Sequence, residues 1–280
     1  MKIGVTGATG QLGRLVVEQL KAKTGSEHIV ALVRTPEKAE GLGVEVRAFD
    51  YEKPDVLTAS LSGIDRLVLI SSSEVGQRAR QHGNVIEAAK QAGVNWIVYT
   101  SLLHADTTSL NLAGEHLATE QTLKASGIDN TILRNGWYTE NYTGSIKGAL
   151  AAGAFIGSAG DGKISSAARA DFAEAAAAAI TDESNKGQVY ELAGENAYTL
   201  SDLAAEISKQ TGKDIPYNNL PESEYASILK SFGLPEFFAD AIASWDVSAS
   251  KGDLFDESKQ LSKLIGRPTT PLADSIAAVL

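Results

Sequence analysis

Residues 5–20 read VTGATGQLGRLVVEQL: an apolar run, three glycines at positions 7, 10 and 13, and then apolar positions recurring on one helical face. Three physical requirements explain the glycines. A tight turn after a strand can demand a backbone conformation that a side chain disfavours. A pyrophosphate can approach the main chain only where no Cβ intrudes, and close packing of helix on strand needs a small residue. The helix opening at Gln11 then offers unpaired N–H groups and a positive dipole end to an anion. A dinucleotide meets all three demands; a tight loop without a ligand is the alternative.

Outward from this turn, short β-branched runs alternate with helix-length amphipathic stretches. The runs are KIGVT (2–6), HIVALVR (28–34), VEVRAF (44–49), DRLVLIS (65–71), NWIVYTS (95–101) and NTILR (130–134). Such alternation predicts βαβ units, and near-continuous apolarity predicts strands covered on both faces. The expected fold is α/β, a Rossmann-type doubly wound parallel sheet, with residues 1–135 forming the dinucleotide-binding domain. After Asn135 a Gly- and Ala-rich tract precedes the helical run RADFAEAAAAAIT (169–181) and one more strand near 188–193 that returns to the main sheet. Residues 136–280 otherwise read as a smaller, mainly helical substrate lobe.

Composition narrows the function classes. The chain has 280 residues, 43% of them hydrophobic and 21% charged, with a formal net charge of −10. The acidic balance, without a Lys/Arg cluster, argues against a nucleic-acid surface. There is no cysteine, which removes disulfides, thiol nucleophiles and thiolate metal sites, and the four histidines show no metal-ligand spacing. No apolar run approaches bilayer length and no secretory signal opens the chain, so a cytoplasmic protein is expected.

The second strand decides which dinucleotide. An NAD-dependent enzyme normally ends it with Asp or Glu, which accepts from the ribose 2′-hydroxyl. Here VALVRTPEKA (30–39) places Arg34 there. A guanidinium takes a phosphate through two parallel hydrogen bonds, which favours NADPH, unless Arg34 is an ordinary solvated strand-end residue.

With TGATGQLG (6–13), VRTPEKA (33–39), LISSSEVGQRA (69–79), YTSLLHAD (99–106) and LRNGWYTENY (133–142), the sequence resembles the NmrA-like, atypical short-chain dehydrogenase/reductase family. Within it the likeness is greatest to bacterial NADPH-dependent quinone oxidoreductases of type 2, with triphenylmethane reductases as neighbours. That resemblance covers essentially the whole chain and implies NADPH as hydride donor and a quinone as acceptor. It places Gly7, Ala8, Thr9, Gly10, Gln11, Leu12 and Gly13 at the pyrophosphate, Arg34 at the 2′-phosphate and Asp50 at the adenine edge. Leu69, Ile70, Ser71 and Ser72 would lie beside the cofactor, and Asn135, Gly136, Trp137, Tyr138 and Thr139 along its nicotinamide end. Asp50 reads equally as a turn carboxylate, and the serines as a polar loop that merely ends a strand.

One departure matters. Most short-chain dehydrogenases carry Tyr-x-x-x-Lys, a phenol that donates a proton and an ammonium that lowers its pKa. At this spacing the chain has His116 and Glu120. A quinone tolerates the loss, because the hydroquinone monoanion is delocalised and positioning can supply most of the acceleration. His116 and Tyr138 are weak candidates for the proton donor, and the His116/Glu120 pair reads equally as a surface pair. Trp137, Tyr138 and Tyr142 offer flat faces to a flat substrate, with core packing as the alternative. Phe155, Phe237, Phe238 and Trp245 read as helical core rather than pocket wall. A non-catalytic dinucleotide sensor, or a reductase of a conjugated dye, remains the competing reading. The oligomeric state is open, a homodimer included.

Overall fold

The alternation closes into a single seven-stranded sheet. In the computed structural model, which describes all 280 residues, the chain runs β1 (Ile3–Thr6), α1 (Gln11–Thr24), β2 (Ile29–Val33), β3 (Glu45–Ala48), α2 (Pro54–Ser60), β4 (Arg66–Leu69), α3 (Arg78–Ala92), β5 (Trp96–Leu102), α4 (Ala113–Ser126) and β6 (Asp129–Asn135). Then follow α5 (Glu140–Thr143), α6 (Ile146–Ala152), β7 (Phe155–Gly157), α7 (Arg169–Thr181), β8 (Val189–Leu192), α8 (Leu200–Thr211) and β9 (Tyr217–Asn219). The chain ends with α9 (Glu222–Ser231), α10 (Glu236–Ser250), α11 (Gln260–Ile265) and α12 (Leu272–Ala277).

The strand order is β3-β2-β1-β4-β5-β6-β8, and every pairing is parallel. All carboxyl ends therefore share one edge. The order reverses between β1 and β4, the switch point at which open α/β sheets bind ligands. Alternate residues of each strand feed two cores, as the period of two requires. Ile3, Val5, Val68, Trp96 and Val98 pack on α1 and α7. Leu67, Leu69, Ile97 and Tyr99 pack on α2, α3 and α4. The alanines of α7 (Ala173, Ala175, Ala176, Ala177 and Ala179) are all fully buried. Their small side chains let α7 lie closely against α1.

The strand expected near 188–193 does return, as β8 beside β6. With it come α7 and α11, so the second half of the chain supplies part of the main body. The rest forms the lobe, whose core includes Leu200, Leu203, Ile207, Phe155 and Tyr142. Two features of the lobe differ from the sequence reading. The Gly/Ala tract and the helical stretch after it contribute β7 and β9, a two-stranded parallel sheet; three-residue strands leave no periodic signal. Phe155 is core as expected, but Phe237 and Phe238 are not: they stand 58% and 47% exposed at the start of α10, stacked edge to face on each other. An aromatic pair at a helix start reads as core by composition alone, and the tertiary arrangement gives this one nothing to pack on. No helix is long and apolar enough to cross a membrane.

Candidate dinucleotide site

Gly7, at φ +59°, turns the chain from β1 into α1; this left-handed conformation is the glycine's own. The turn is closed by the Gly10 N–H donating to the Gly7 carbonyl at 2.9 Å. A Cβ on Gly13 would stand 2.2 Å from the Gly7 oxygen and 2.8 Å from the Ala8 Cα, so the helix start and the turn are in direct backbone contact. Gly10 is the N-cap and brings no side chain to the first N–H groups of α1. Ala8 and Leu12 turn their side chains into the core and have only backbone to offer here. Thr9 and Gln11 lie at the surface of the turn.

Around this end the positive groups gather. Arg34 leaves the end of β2 with its side chain 68% exposed and its Nη1 on Glu74 at 2.8 Å. Arg14 reaches over the turn to the carbonyl of Lys38 at 2.6 Å. Asp50 behaves as a turn carboxylate: it accepts from the Glu52 N–H at 3.2 Å and faces Lys53.

Next to β1, a polar seam runs along the carboxyl edge. The Thr6 hydroxyl oxygen accepts from the Ile70 N–H at 3.0 Å and from the Tyr51 hydroxyl at 2.5 Å. The Ser71 N–H donates to the Thr100 hydroxyl at 2.9 Å, and the Ser72 N–H to His82 Nε2 at 2.9 Å. These bonds hold the segment after β4 open toward the switch point. Ser71 and Ser72 thus sit at the edge, whereas Leu69 is fully buried and points into the α3/α4 core; its side chain is unavailable to any ligand.

At the end of β6, Asn135 is 4% exposed, yet neither end of its amide has a hydrogen-bond partner. The Tyr138 phenol lies beside it without meeting hydrogen-bond geometry. A buried amide with four unused positions is costly, about 1–3 kcal/mol for each group left unmade, unless a ligand completes it. A glycine cradle at one end of the crevice and an orphaned amide at the other fit an extended dinucleotide. Gly136 follows under backbone constraint, since a Cβ there would meet the Leu192 carbonyl at 2.9 Å.

The aromatics after β6 divide. Tyr138 is partly covered, with the Arg169 guanidinium 4.5 Å above its ring and Phe172 edge-on at 5.2 Å. Burial holds its phenol above the ordinary value, so it is protonated at neutral pH. Trp137 packs edge to face with Trp245 at 5.5 Å, which ties the lobe to the sheet. Thr139 is spent internally, its hydroxyl on Ser166 at 2.8 Å. Tyr142 is buried, with its hydroxyl on Asp246 at 3.4 Å. That places it within the lobe core rather than on a substrate face.

His116 and Glu120 are not a surface pair. Glu120 accepts from Ser101 at 2.5 Å and holds Arg134 through both carboxylate oxygens at 3.1 and 2.9 Å. His116 is 4% exposed and meets the Tyr99 hydroxyl at 2.8 Å and Arg78 Nη1 at 3.4 Å. Arginine can only donate, so His116 Nε2 accepts and its proton sits on Nδ1, turned toward Tyr99. Burial first, and then the Arg78 charge, pull its pKa down to about 3. It is a neutral imidazole with its one proton turned inward, which overturns its candidacy as proton donor. Arg78 and His82 were missed as site residues: Arg78 stands inside the quoted SSSEVGQRA, and its four-residue spacing to His82 was the only local signal.

The geometry has counterparts of known chemistry. A family model described as NAD(P)H-binding matches residues 7–183. The chain is 58% identical to quinone oxidoreductase 2 of Escherichia coli (strain K12), over 98% of this chain and 97% of that one. The crystal structure of the NADPH-dependent quinone oxidoreductase of Escherichia coli complexed with NADPH superposes with a TM-score of 0.96 over 99% of both chains. Triphenylmethane reductase of Citrobacter sp., complexed with NADP(H), superposes with the same TM-score at 37% identity over the whole of both chains. The family read from the glycine turn and the motifs after β4, β5 and β6 is thus borne out over the full length. The chain belongs to the NAD(P)H-binding family, alongside the quinone oxidoreductase and the triphenylmethane reductase.

Proposed function

We propose that the chain is an NADPH-dependent quinone oxidoreductase that works by direct transfer to the acceptor, without a Tyr-x-x-x-Lys pair. The observation that carries this reading is the 58% identity, spread over the whole chain, to a quinone oxidoreductase whose structure is solved with NADPH. The bare start of α1 and the glycine turn would hold the pyrophosphate. Arg34, released from Glu74, would take the 2′-phosphate. Ser71, Ser72 and the Asn135 amide would line the cofactor toward its nicotinamide end, and Trp137 and Tyr138 would face the acceptor. The bound coenzyme supplies two electrons and one hydrogen nucleus from its C4–H bond; the quinone becomes a hydroquinone monoanion, and one proton from water completes the product. The protein's part is orientation and electrostatics, consistent with the internal commitment of both His116 and Glu120.

Mixing the protein with NADPH and a simple benzoquinone, and following loss of the reduced-nicotinamide absorbance, tests the reading. Oxidation well above background is expected. Tight NADPH binding without turnover of any quinone would point instead to a dinucleotide sensor. Turnover of a triphenylmethane dye but of no quinone would favour the second reading, which the 37% identity to the dye reductase supports.

A further inference from the structure

Arg78, the first residue of α3, is 9% exposed. Its Nε donates to the Ser72 carbonyl at 2.6 Å and its Nη1 to His116 Nε2 at 3.4 Å. Glu115 lies near, but its two oxygens are taken by backbone N–H groups, those of Arg78 and Gly76, each at 2.9 Å. The guanidinium itself forms no ion pair. The contrast with Arg134, similarly buried, is direct: that side chain is met by Asp106, Glu120 and Glu191. Nη2 of Arg78 has no acceptor in the protein and is not sealed from solvent.

None of the neighbours pairs directly with this charge. Across from it on α4 stands His116, and one turn along α3 stands His82. His82 Nε2 accepts from the Ser72 N–H, so its proton sits on Nδ1 and goes to the Thr119 hydroxyl at 2.9 Å, which in turn donates to the Glu115 carbonyl at 2.9 Å. Both imidazoles are neutral. The ionisable groups within electrostatic reach are Glu115, Tyr99 and Tyr138, and both phenols are protonated. Burial draws the Arg78 pKa down; the Glu115 carboxylate offsets this only in part, because its oxygens are bound to backbone N–H groups and not to the guanidinium. Folding rarely tolerates a buried, unpaired charge unless something outside the chain completes it.

We infer that Arg78 meets the negative charge that develops on the quinone, with its free Nη2 corner donating to the oxygen of the hydroquinone monoanion. The inference rests on the NADPH–quinone reading and names a catalytic group within it. Segment 71–78 lies at the carboxyl edge beside the switch point, and Tyr138 closes the far side within reach of the same charge. A fixed cation in a partly dry site, already oriented before reaction, stabilises developing charge without reorganising. It also explains how the enzyme dispenses with an acid: the anion is held by charge and protonated afterwards by water.

The test uses the whole protein, with Arg78→Met and Arg78→Lys. The probe is 2-hydroxy-1,4-naphthoquinone, an anion at neutral pH that mimics the charged product, and its neutral control is 2-methyl-1,4-naphthoquinone. With NADP⁺ bound, Arg78→Met should weaken the anionic probe by about 10-fold or more, leave the neutral quinone and NADPH within about 3-fold, and lower kcat by about 100-fold, the usual loss when one donor to a developing oxyanion is removed. Arg78→Lys should recover part of the loss. An equal loss of NADPH affinity would make Arg78 a cofactor phosphate ligand and overturn the inference. Unchanged binding of the anion would overturn it too. Should both variants fail to fold, the wild-type protein still decides: the bound hydroxynaphthoquinone should stay ionised to lower pH than the free compound, and an unchanged or raised ionisation pH refutes the role. Absence of quinone turnover by wild type would fail the proposed function separately, since the probe titration does not depend on turnover.

Discussion

The two edges of the central sheet are built from similar residue types and treat charge in opposite ways. At the amino edge, a depression of about 700 Å³ opens among Asp65, Arg66, Trp96, Asp129, Glu183 and Lys186. Its charges, Lys90 apart, are paired: Arg66 with Glu183, Lys186 with Asp129 and Glu183, and the amino terminus with Asp65. Arg66 and Lys186 also cover the Trp96 ring at 5.0 and 5.5 Å. At the carboxyl edge key groups are left incomplete: Asn135 is buried with no partner, Arg78 with no ion pair, and α1 starts with no side-chain cap. The hollow at the amino edge is largely satisfied from within the protein. Groups whose hydrogen-bonding or charge is left incomplete inside the protein, rather than open volume, mark where a ligand belongs.

That comparison can be broken most severely at Gly13. Gly13→Ala would drive a Cβ to within 2.2 Å of the Gly7 oxygen. It should cost about 3 kcal/mol in a urea unfolding experiment, at the upper end of overpacking and despite alanine's better helix propensity. NADPH binding by calorimetry should vanish with it, and an unchanged midpoint would show that turn and helix are not in the contact described. Arg34→Glu comes next. NADPH should weaken by about 100-fold, the worth of a bidentate charge-assisted contact, while NADH changes by less than about 3-fold; parallel loss of both would remove Arg34 from the 2′-phosphate.

The third prediction sharpens the contrast through pH. His82 and His116 are held near pKa 3 by burial first and the Arg78 charge second, whereas the unfolded chain titrates near 6.5. Between about pH 6 and 4 the unfolded state therefore binds two more protons at these sites, and stability falls as pH falls. Asp246 opposes them. Burial raises its carboxyl to about 6, so over the same window the folded state holds one extra proton there. From these three groups the net of one proton contributes a loss of about 1.4 kcal/mol for each pH unit of acidification, to which the carboxyls held low by their partners add toward pH 4. His82→Gln, which keeps an acceptor for the Ser72 N–H, should flatten that slope; a slope as steep as wild type would mean that His82 is already charged in the folded protein.

The smallest effect is expected at the amino edge. Glu183→Gln breaks the pair with Arg66, but Glu183 is 63% exposed. Thermal unfolding should register less than about 1 kcal/mol, and kcat nothing at all. A marked fall in turnover there would mean that the satisfied hollow, and not the unsatisfied edge, is the working site.

What was legible in the sequence was what neighbours along the chain decide. The turn at Gly7–Gly13 and the apolar runs that became β1 to β6 were readable because period and turn chemistry act within a few residues. So was the place of Arg34 at the end of β2. His116 and Glu120 were found by spacing but misread in orientation, because Tyr99, Arg78 and Arg134 settle which way they face, and those lie 14 to 38 residues away. Phe237 and Phe238 looked like core because their composition says so, and only their surroundings expose them.

By itself, then, the sequence determined the parallel α/β architecture, the glycine turn and the placing of a basic residue at the end of the second strand. These follow from backbone sterics, side-chain period and local charge, which need no distant partner. The tertiary structure alone decided that Arg78 is buried without an ion pair, that two imidazoles beside it are neutral, and that the Asn135 amide is left incomplete. Those are properties of desolvation and of partners brought together from β4, α3, β5, α4 and β6, and no stretch of chain carries them until the sheet has formed.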